Sequence, residues 1–163
     1  MRYESAIRYF YGLGVRGVRP GLDRIERAMD ARGHPDRSMC VVHVAGTNGK
    51  GSVSAMVASA LRGAGFRVGL FTSPHLHRYT ERFMVDGAPV SRASLAAAVS
   101  DIREWLQGGT APALTFFEAS TLLAFELFRS QGCQVAVIEV GMGGRLDSTN
   151  IVQPRVTAIT SIS

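Results

Sequence analysis

The stretch Gly46-Thr47-Asn48-Gly49-Lys50-Gly51-Ser52 decides the fold of this chain. It lies between an apolar segment typical of a strand (Cys40–Ala45) and an amphipathic segment typical of a helix (53–61). Glycines allow a tight turn that points several backbone N–H groups at one anion. The helix that follows adds its positive N-terminal end, and Lys50 adds a full charge. This order predicts a phosphate loop that binds a nucleotide triphosphate, and an ordinary turn is the alternative.

The loop departs from the Walker A pattern G-x-x-x-x-G-K-[ST], in which the hydroxyl directly after the lysine binds magnesium. Val44 stands at the position of the first glycine, and Gly51 stands at the position of the hydroxyl. Ser52 comes one position later. Either Ser52 reaches the metal by a different geometry, or a hydroxyl from elsewhere in the chain takes that role.

The composition limits the classes of protein to consider. The chain has 163 residues, of which 46% are hydrophobic, which is enough for the core of one domain. The formal net charge of +5 favours anionic ligands. Arginine supplies most of the positive charge and no block of five like charges occurs, so nucleic acid is a weak candidate partner.

Cysteine usage and the N-terminus indicate a cytoplasmic protein. Cys40 and Cys133 each lie beside a predicted strand and do not form a C-x-x-C pair, so we expect buried, reduced thiols. The N-terminus lacks the apolar region of a signal peptide. No run approaches 18 apolar residues, so no membrane contact is expected.

Hydrophobic periodicity predicts helices and strands in alternation. Predicted strands cover Cys40–Ala45, 67–72, 134–140 and 155–162. Two helices precede them, separated by a break at 12–20, and three more lie at 53–61, around 95–106 and at 115–129. The predicted buried positions of the first three helices are Ile7, Phe10 and Tyr11; Leu22, Ile25 and Met29; and Val53, Met56, Val57, Ala60 and Leu61.

This pattern predicts the α/β class. Strands that are apolar without alternation are typical of a mostly parallel sheet with helices on both faces. Residues 73–87 are polar and irregular, so they form a candidate functional loop.

Glu139 is the most informative polar residue outside the phosphate loop. It interrupts an apolar strand, so its carboxylate must be paired or bound to a metal. Beside a phosphate loop we favour Mg²⁺, which takes one or two protein oxygens plus phosphates; an ion pair with an arginine is the alternative. Ser73, after the neighbouring strand, is a candidate for the hydroxyl that Gly51 lacks, although a serine before proline is also a common turn residue.

Three further sets of polar residues follow predicted strand ends or begin the predicted buried helix at 115–129. His75 is by itself typical of a surface or hydrogen-bonded histidine. Glu118 begins a helix, where the helix dipole favours a carboxylate, and a ligand role is the alternative. Gly143 and Gly144 are followed by Arg145 and Asp147, which favours a loop that faces a ligand.

Together these motifs resemble the folylpolyglutamate synthase/dihydrofolate synthase family, which is related to the Mur ligases. The resemblance covers about residues 19–163. It is carried by four motifs in order, namely Gly46–Ser52, Ser73-Pro74-His75 with 78–82, 115–118 and 139–150. Ser-Pro-His followed by Arg-Tyr-Thr-Glu-Arg is similar to the folate branch rather than the peptidoglycan branch.

The resemblance implies an ATP-dependent amide ligase. ATP phosphorylates a substrate carboxylate, and the amine of L-glutamate attacks the acyl phosphate, so that dihydropteroate gives dihydrofolate and folates give polyglutamates. The loop Gly46–Ser52 would bind ATP, Lys50 and Glu139 would be catalytic, and Ser73 and Glu139 would bind Mg²⁺. The implied substrate-binding residues are Thr115, Phe116, Phe117, Glu118, Leu146, Asp147, Ser148, His75 and Arg82.

Members of this family continue with an Asp-His segment that binds a second magnesium, a modified lysine and a C-terminal domain, none of which follows Ser163. We therefore expect residues 1–163 to be an incomplete N-terminal ATP-binding domain, monomeric and of low activity alone. Two alternatives stay open: a Mur-type peptidoglycan precursor ligase, and a non-catalytic P-loop nucleotide-binding module.

Overall fold

One sheet organises the chain. Within residues 1–17 and 19–163, which the computed structural model describes, it has six strands in the order β4-β3-β2-β5-β1-β6. These are β1 (Cys40–Ala45), β2 (Val68–Phe71), β3 (Phe83–Val85), β4 (Ala88–Pro89), β5 (Val135–Glu139) and β6 (Val156–Ile159). Strands β2, β5, β1 and β6 are parallel, and β3 and β4 add an antiparallel edge. The predicted α/β class with a mostly parallel sheet is confirmed.

Helices cover both faces of the sheet, as predicted. On one face, α3 (Lys50–Gly63) packs against Val44, Val68, Leu70 and Val137. The larger core on the other face is formed with α1 (Tyr3–Gly12), α2 (Asp23–Ala31), α4 (Arg92–Gln107) and α5 (Phe116–Ser130). Helix α5 is buried along most of its length, as its apolar sequence indicates. None of the helices in the described residues is long and apolar enough to cross a membrane.

The prediction that residues 73–87 are irregular is wrong for the second half of that segment. A 3₁₀ helix occupies Tyr79–Arg82, and β3 and β4 form a hairpin joined by Asp86 and Gly87. Both turn residues have positive φ, 51° and 82°. An Asp-Gly pair is favoured in two-residue hairpins for this reason. The hairpin fixes the far end of the loop that follows β2.

Several predicted buried positions are exposed. Met56 is 63% exposed and Ala60 is also exposed, because Val53, Val57 and Leu61, spaced four residues apart, form the stripe of α3 that packs on the sheet.

Two further burial predictions are wrong. Tyr11 is 47% exposed at the end of α1, and Cys40 is exposed at the start of β1, whereas Cys133 is buried as expected. Val18, in the predicted break at 12–20, lies outside the described residues.

Candidate functional site

The phosphate loop connects β1 to the N-terminus of α3. Gly46 has a φ of 132°, and a Cβ at this position would contact the Thr160 side chain and lie 3.0 Å from its backbone nitrogen. Gly49 has a φ of 81° and precedes the first residue of α3, Lys50. Both conformations favour glycine, so the glycine spacing dictates the local path of the chain. The ammonium group of Lys50 donates to the carbonyl of Thr47 at 3.1 Å.

The segment after β6 lies against this loop. The Thr47 N–H donates to the Ser161 carbonyl at 2.8 Å, and Asn48 forms an antiparallel bridge with Ser161. The Thr160 N–H donates to the Ala45 carbonyl at 2.9 Å. The residues that follow β6, the strand next to β1, therefore hold the phosphate loop in place by backbone hydrogen bonds.

Glu139 lies beside the start of α3. A Cβ built on Gly51 would be 3.5 Å and 3.7 Å from the two carboxylate oxygens of Glu139, and the Ser73 N–H donates to one of them at 2.9 Å. The residue is only 5% exposed. Burial raises the pKa of Glu139, and the Ser73 N–H, Lys50 and Arg82 lower it in part. Lys50 and Glu139 thus lie on the same face of the sheet, as a shared metal–triphosphate complex requires.

These residues fit a magnesium ion. Among residues 1–17 and 19–163, no group of three or more His, Cys, Asp or Glu side chains is arranged to hold a metal by itself. Mg²⁺ does not need such a group, because it keeps several waters and phosphate oxygens and takes only one or two protein ligands. A buried carboxylate with one hydrogen-bond donor, next to a lysine and a serine, matches that requirement.

A cavity of about 810 Å³ adjoins this site. It reaches from Gly14, Gly17 and residues 19–21 to Ser73, the start of α5 and the loop after β5. Sequence-predicted residues that line it are Ser73, Arg82, Thr115, Phe116, Phe117, Glu118, Leu146, Asp147 and Ser148. His75 does not line the cavity. The four motifs, distant in sequence, therefore meet at one site.

Glu118 fixes two walls of the cavity. Its carboxylate accepts from the Thr115 N–H at 2.7 Å, and the Thr115 hydroxyl accepts from the Glu118 N–H at 3.3 Å, which is a capping box at the start of α5. The same carboxylate accepts from the Arg24 Nε at 3.0 Å. Glu118 thus has the helix-start role that the sequence allowed, and it also joins α5 to α2.

Asp147 holds the loop after β5 in place. Its two oxygens accept from the Met142 N–H at 2.8 Å and the Thr149 hydroxyl at 2.6 Å. The Thr149 oxygen in turn accepts from His43 Nε2 at 2.9 Å. Burial lowers the pKa of His43, and the nearby Asp147 carboxylate acts in the opposite direction. Ser148 bonds through its hydroxyl to Thr121 at 2.7 Å.

Sequence reasoning missed Arg24, His43 and Thr149. His43 interrupts the apolar strand β1 just as Glu139 interrupts β5, so the same signal was available for it. Arg24 gave no comparable signal, because it lies on the polar face of a short helix.

Arg82 closes the cavity near Ser73. It is 7% exposed, and its guanidinium lies 5.4 Å from the Phe116 ring centroid and 5.8 Å from that of Tyr79. Its Nε donates to His75 Nδ1 at 2.9 Å, and His75 Nε2 bonds to the Tyr11 hydroxyl at 3.2 Å. His75 therefore acts on the cavity through Arg82.

Comparison with known proteins finds relatives of this chain by sequence and by structure. No family model matches the chain. The dihydrofolate synthase/folylpolyglutamate synthase of Bacillus subtilis is 41% identical over 164 residues, covering 98% of this chain and 38% of the relative. A crystal structure of a folylpolyglutamate synthase with AMPPCP and folate superposes with a TM-score of 0.88 at 37% identity, over 98% of this chain and 40% of that one. The chain is a homologue of the N-terminal part of these synthases.

A second solved synthase is similar to this chain over nearly the same extent. It is a bifunctional folylpolyglutamate synthase/dihydrofolate synthase with Mn, AMPPNP and L-glutamate bound, 38% identical, with a TM-score of 0.88 over 100% of this chain and 39% of that one. The chain spans 20% to 39% of the length of the curated synthases that it matches over its whole length. The resemblance drawn from the four motifs is confirmed.

Proposed function

We propose that this chain is the nucleotide- and substrate-binding part of an ATP-dependent ligase that adds L-glutamate to dihydropteroate, to folates or to both. One observation carries the proposal. Glu139 and Ser73 lie between the phosphate loop and the aromatic cavity, so a triphosphate and an aryl acid would meet there. The folate and AMPPCP complex of a homologous synthase supports this reading.

Each element of the site has a defined task in this proposal. The backbone of Gly46–Ser52 and the charge of Lys50 hold the triphosphate, and Glu139 with Ser73 holds Mg²⁺. Bound Mg²⁺ supplies neutralisation of the charge that develops on the transferred phosphoryl group. Phe116 and Phe117 pack against the flat ring system of the substrate.

The remaining residues of the proposed substrate site have supporting tasks. Thr115 and Glu118 shape the start of α5, and Leu146, Asp147 and Ser148 shape the opposite wall. Leu146 is 54% exposed and offers apolar surface to a ligand at the mouth of the cavity.

Lys50 gives a direct assay for this proposal, because it is the only lysine of the chain. A bound triphosphate protects Lys50 from an acetylating reagent, and mass spectrometry reads the modification with the N-terminal amine as internal reference. We expect Glu139→Gln to need roughly 10–100-fold more Mg-ATP for half-maximal protection of Lys50. A loss of metal affinity of this size is typical even when only a hydrogen-bond partner of a metal ligand is removed. Glu104→Gln, on the exposed side of α4, is the matched control and should behave as wild type.

Two results decide the proposal. Equal Mg-ATP protection in Glu139→Gln and wild type would refute the metal role of Glu139. Binding of a UDP-sugar in place of pteroate, measured by equilibrium dialysis, would replace the folate assignment with a Mur-type ligase.

We further infer that residues 1–163 act as an N-terminal domain in a monomeric, cytoplasmic enzyme that needs further residues for turnover. Gel filtration and glutamate-dependent ATP hydrolysis by the chain test this. A rate equal to that of a complete synthase would contradict it.

A further inference from the structure

Arg82 is a buried cation in the cavity wall, and none of the described residues forms an ion pair with it. It is 7% exposed, and among residues 1–17 and 19–163 no carboxylate lies within ion-pair distance of it. Leaving a buried charge unpaired is costly, so such a charge normally has a partner of opposite sign. The partner of Arg82 is therefore to be sought in the cavity, among its ligands.

The contacts of Arg82 orient its free groups. Its Nε is used by His75, whose ring is held in turn by Tyr11, and its planar group packs near Phe116 and Tyr79. The two terminal amino groups have no hydrogen-bond acceptor in the part of the chain that the structure describes. They form the planar fork of donors that matches a carboxylate in two parallel hydrogen bonds.

The position of Arg82 indicates which end of a ligand it meets. Arg82 and Ser73 line the same cavity, and the Ser73 N–H donates to Glu139. The charges of Arg82 and Glu139 also influence each other. Arg82 thus lies where the aromatic cavity meets the expected metal. The triphosphate has its own binding groups, which are the phosphate loop and Lys50.

We propose that Arg82 binds the carboxylate of the aryl carboxylic acid substrate and directs it toward Glu139 and Lys50. His75 and Tyr11 are positioning residues for the guanidinium. This inference rests on the proposed function, since it names the group of the substrate that the cavity recognises. In this inference Arg82 binds the carboxylate of the substrate and not the nucleotide.

The test compares two ligands that differ by one group. Pteroate carries the carboxylate, and 6-(anilinomethyl)pterin has the same ring system without it. Both are titrated into the chain with Mg-AMPPNP present, in wild type, Arg82→Met and Arg82→Lys. Arg92→Met is the matched control, because Arg92 is an exposed arginine that lies over a ring, that of Tyr3, outside the cavity.

We expect Arg82→Met to weaken pteroate binding by about tenfold to a hundredfold, the equivalent of a charged hydrogen-bond pair. Binding of 6-(anilinomethyl)pterin should change by about twofold or less, and Arg92→Met should bind both ligands as wild type. Arg82→Lys keeps the charge without the fork, so it should lose part of the pteroate affinity.

Three outcomes would overturn the inference. Equal losses for both ligands would make Arg82 a packing residue, and a loss of Mg-AMPPNP affinity alone would assign the cation to phosphate. If Arg82→Met does not fold, the inference is tested with Arg82→Lys and with the ratio of the two affinities in the wild type. Equal wild-type affinity for pteroate and 6-(anilinomethyl)pterin would then contradict the inference. A wild-type chain that binds neither pterin would instead refute the proposed function.

Discussion

Substitution of Gly141 by alanine tests how tightly the cavity wall is packed. Gly141 follows β5 directly after Val140, and a Cβ there would overlap the Phe117 ring, with Cε1 at 2.6 Å, and approach the Asp147 carboxylate to 3.0 Å. Carbon atoms in contact are normally about 3.5–4.0 Å apart. The ring of Phe117, which also packs against Phe71, must therefore move by about 1 Å into the cavity.

The expected cost follows from this overlap. Added methyl groups in well-packed regions cost about 1–3 kcal/mol, which lowers the melting temperature of a chain of this size by roughly 2–12 °C. The displaced ring also reduces the space for a pterin, so pteroate affinity falls. Protection of Lys50 by Mg-ATP should stay at the wild-type level, because α3, which begins at Lys50, packs on the opposite face of the sheet from Phe117.

Gly14→Ala is the matched control for this experiment. Gly14 lines the same cavity, but a Cβ there would meet nothing within 4 Å. Its melting temperature should stay within about 2 °C of wild type. If Gly141→Ala has the wild-type melting temperature and binds pteroate as well as the wild type does, the position assigned to Phe117 is refuted.

Three further predictions concern single positions. Gly46→Ala puts a side chain against Thr160 in a glycine conformation, so strain of roughly 1–3 kcal/mol should raise the Mg-ATP needed to protect Lys50, and unchanged protection would contradict it. Ser54→Ala removes a buried hydroxyl that has no partner in the described residues, so urea unfolding should show a gain about 1 kcal/mol larger than that of exposed Ser59→Ala, which changes only the helix propensity. Because burial lowers the pKa of His43, stability is lost as the pH falls below about 6.5, and His43→Gln should lose less than wild type between about pH 7 and 5.

The parts of the site that depend on local sequence were predictable. Glycine spacing determines the phosphate loop, and an in-strand carboxylate can be recognised from its neighbours alone. Two side-chain contacts of the site were not predictable, because the two residues of each contact are distant in sequence. Arg24 is 94 positions from Glu118, and His43 is 106 positions from Thr149. Only the folded chain brings each pair together.

The edge hairpin was missed for a different reason. Strand β3 has three residues and β4 has two, which is too short for a periodicity signal. The Asp86-Gly87 pair was a usable turn signal, but polar residues before it favoured an irregular loop. A turn dipeptide is therefore more informative than hydrophobic pattern at the edge of this sheet.

The departure of the loop from Walker A has a structural counterpart in Glu139. A side chain at position 51 would begin 3.5 Å from the Glu139 carboxylate, in the space between α3 and β5. A hydroxyl there would occupy the side of the carboxylate that a metal needs. With glycine at 51 that side stays open, and the N–H of Ser73, in the segment after β2, already donates to the same carboxylate. The missing Walker hydroxyl and the in-strand glutamate thus fit one arrangement, in which the proposed metal ligands Ser73 and Glu139 lie at the ends of two neighbouring strands instead of on the helix after the loop.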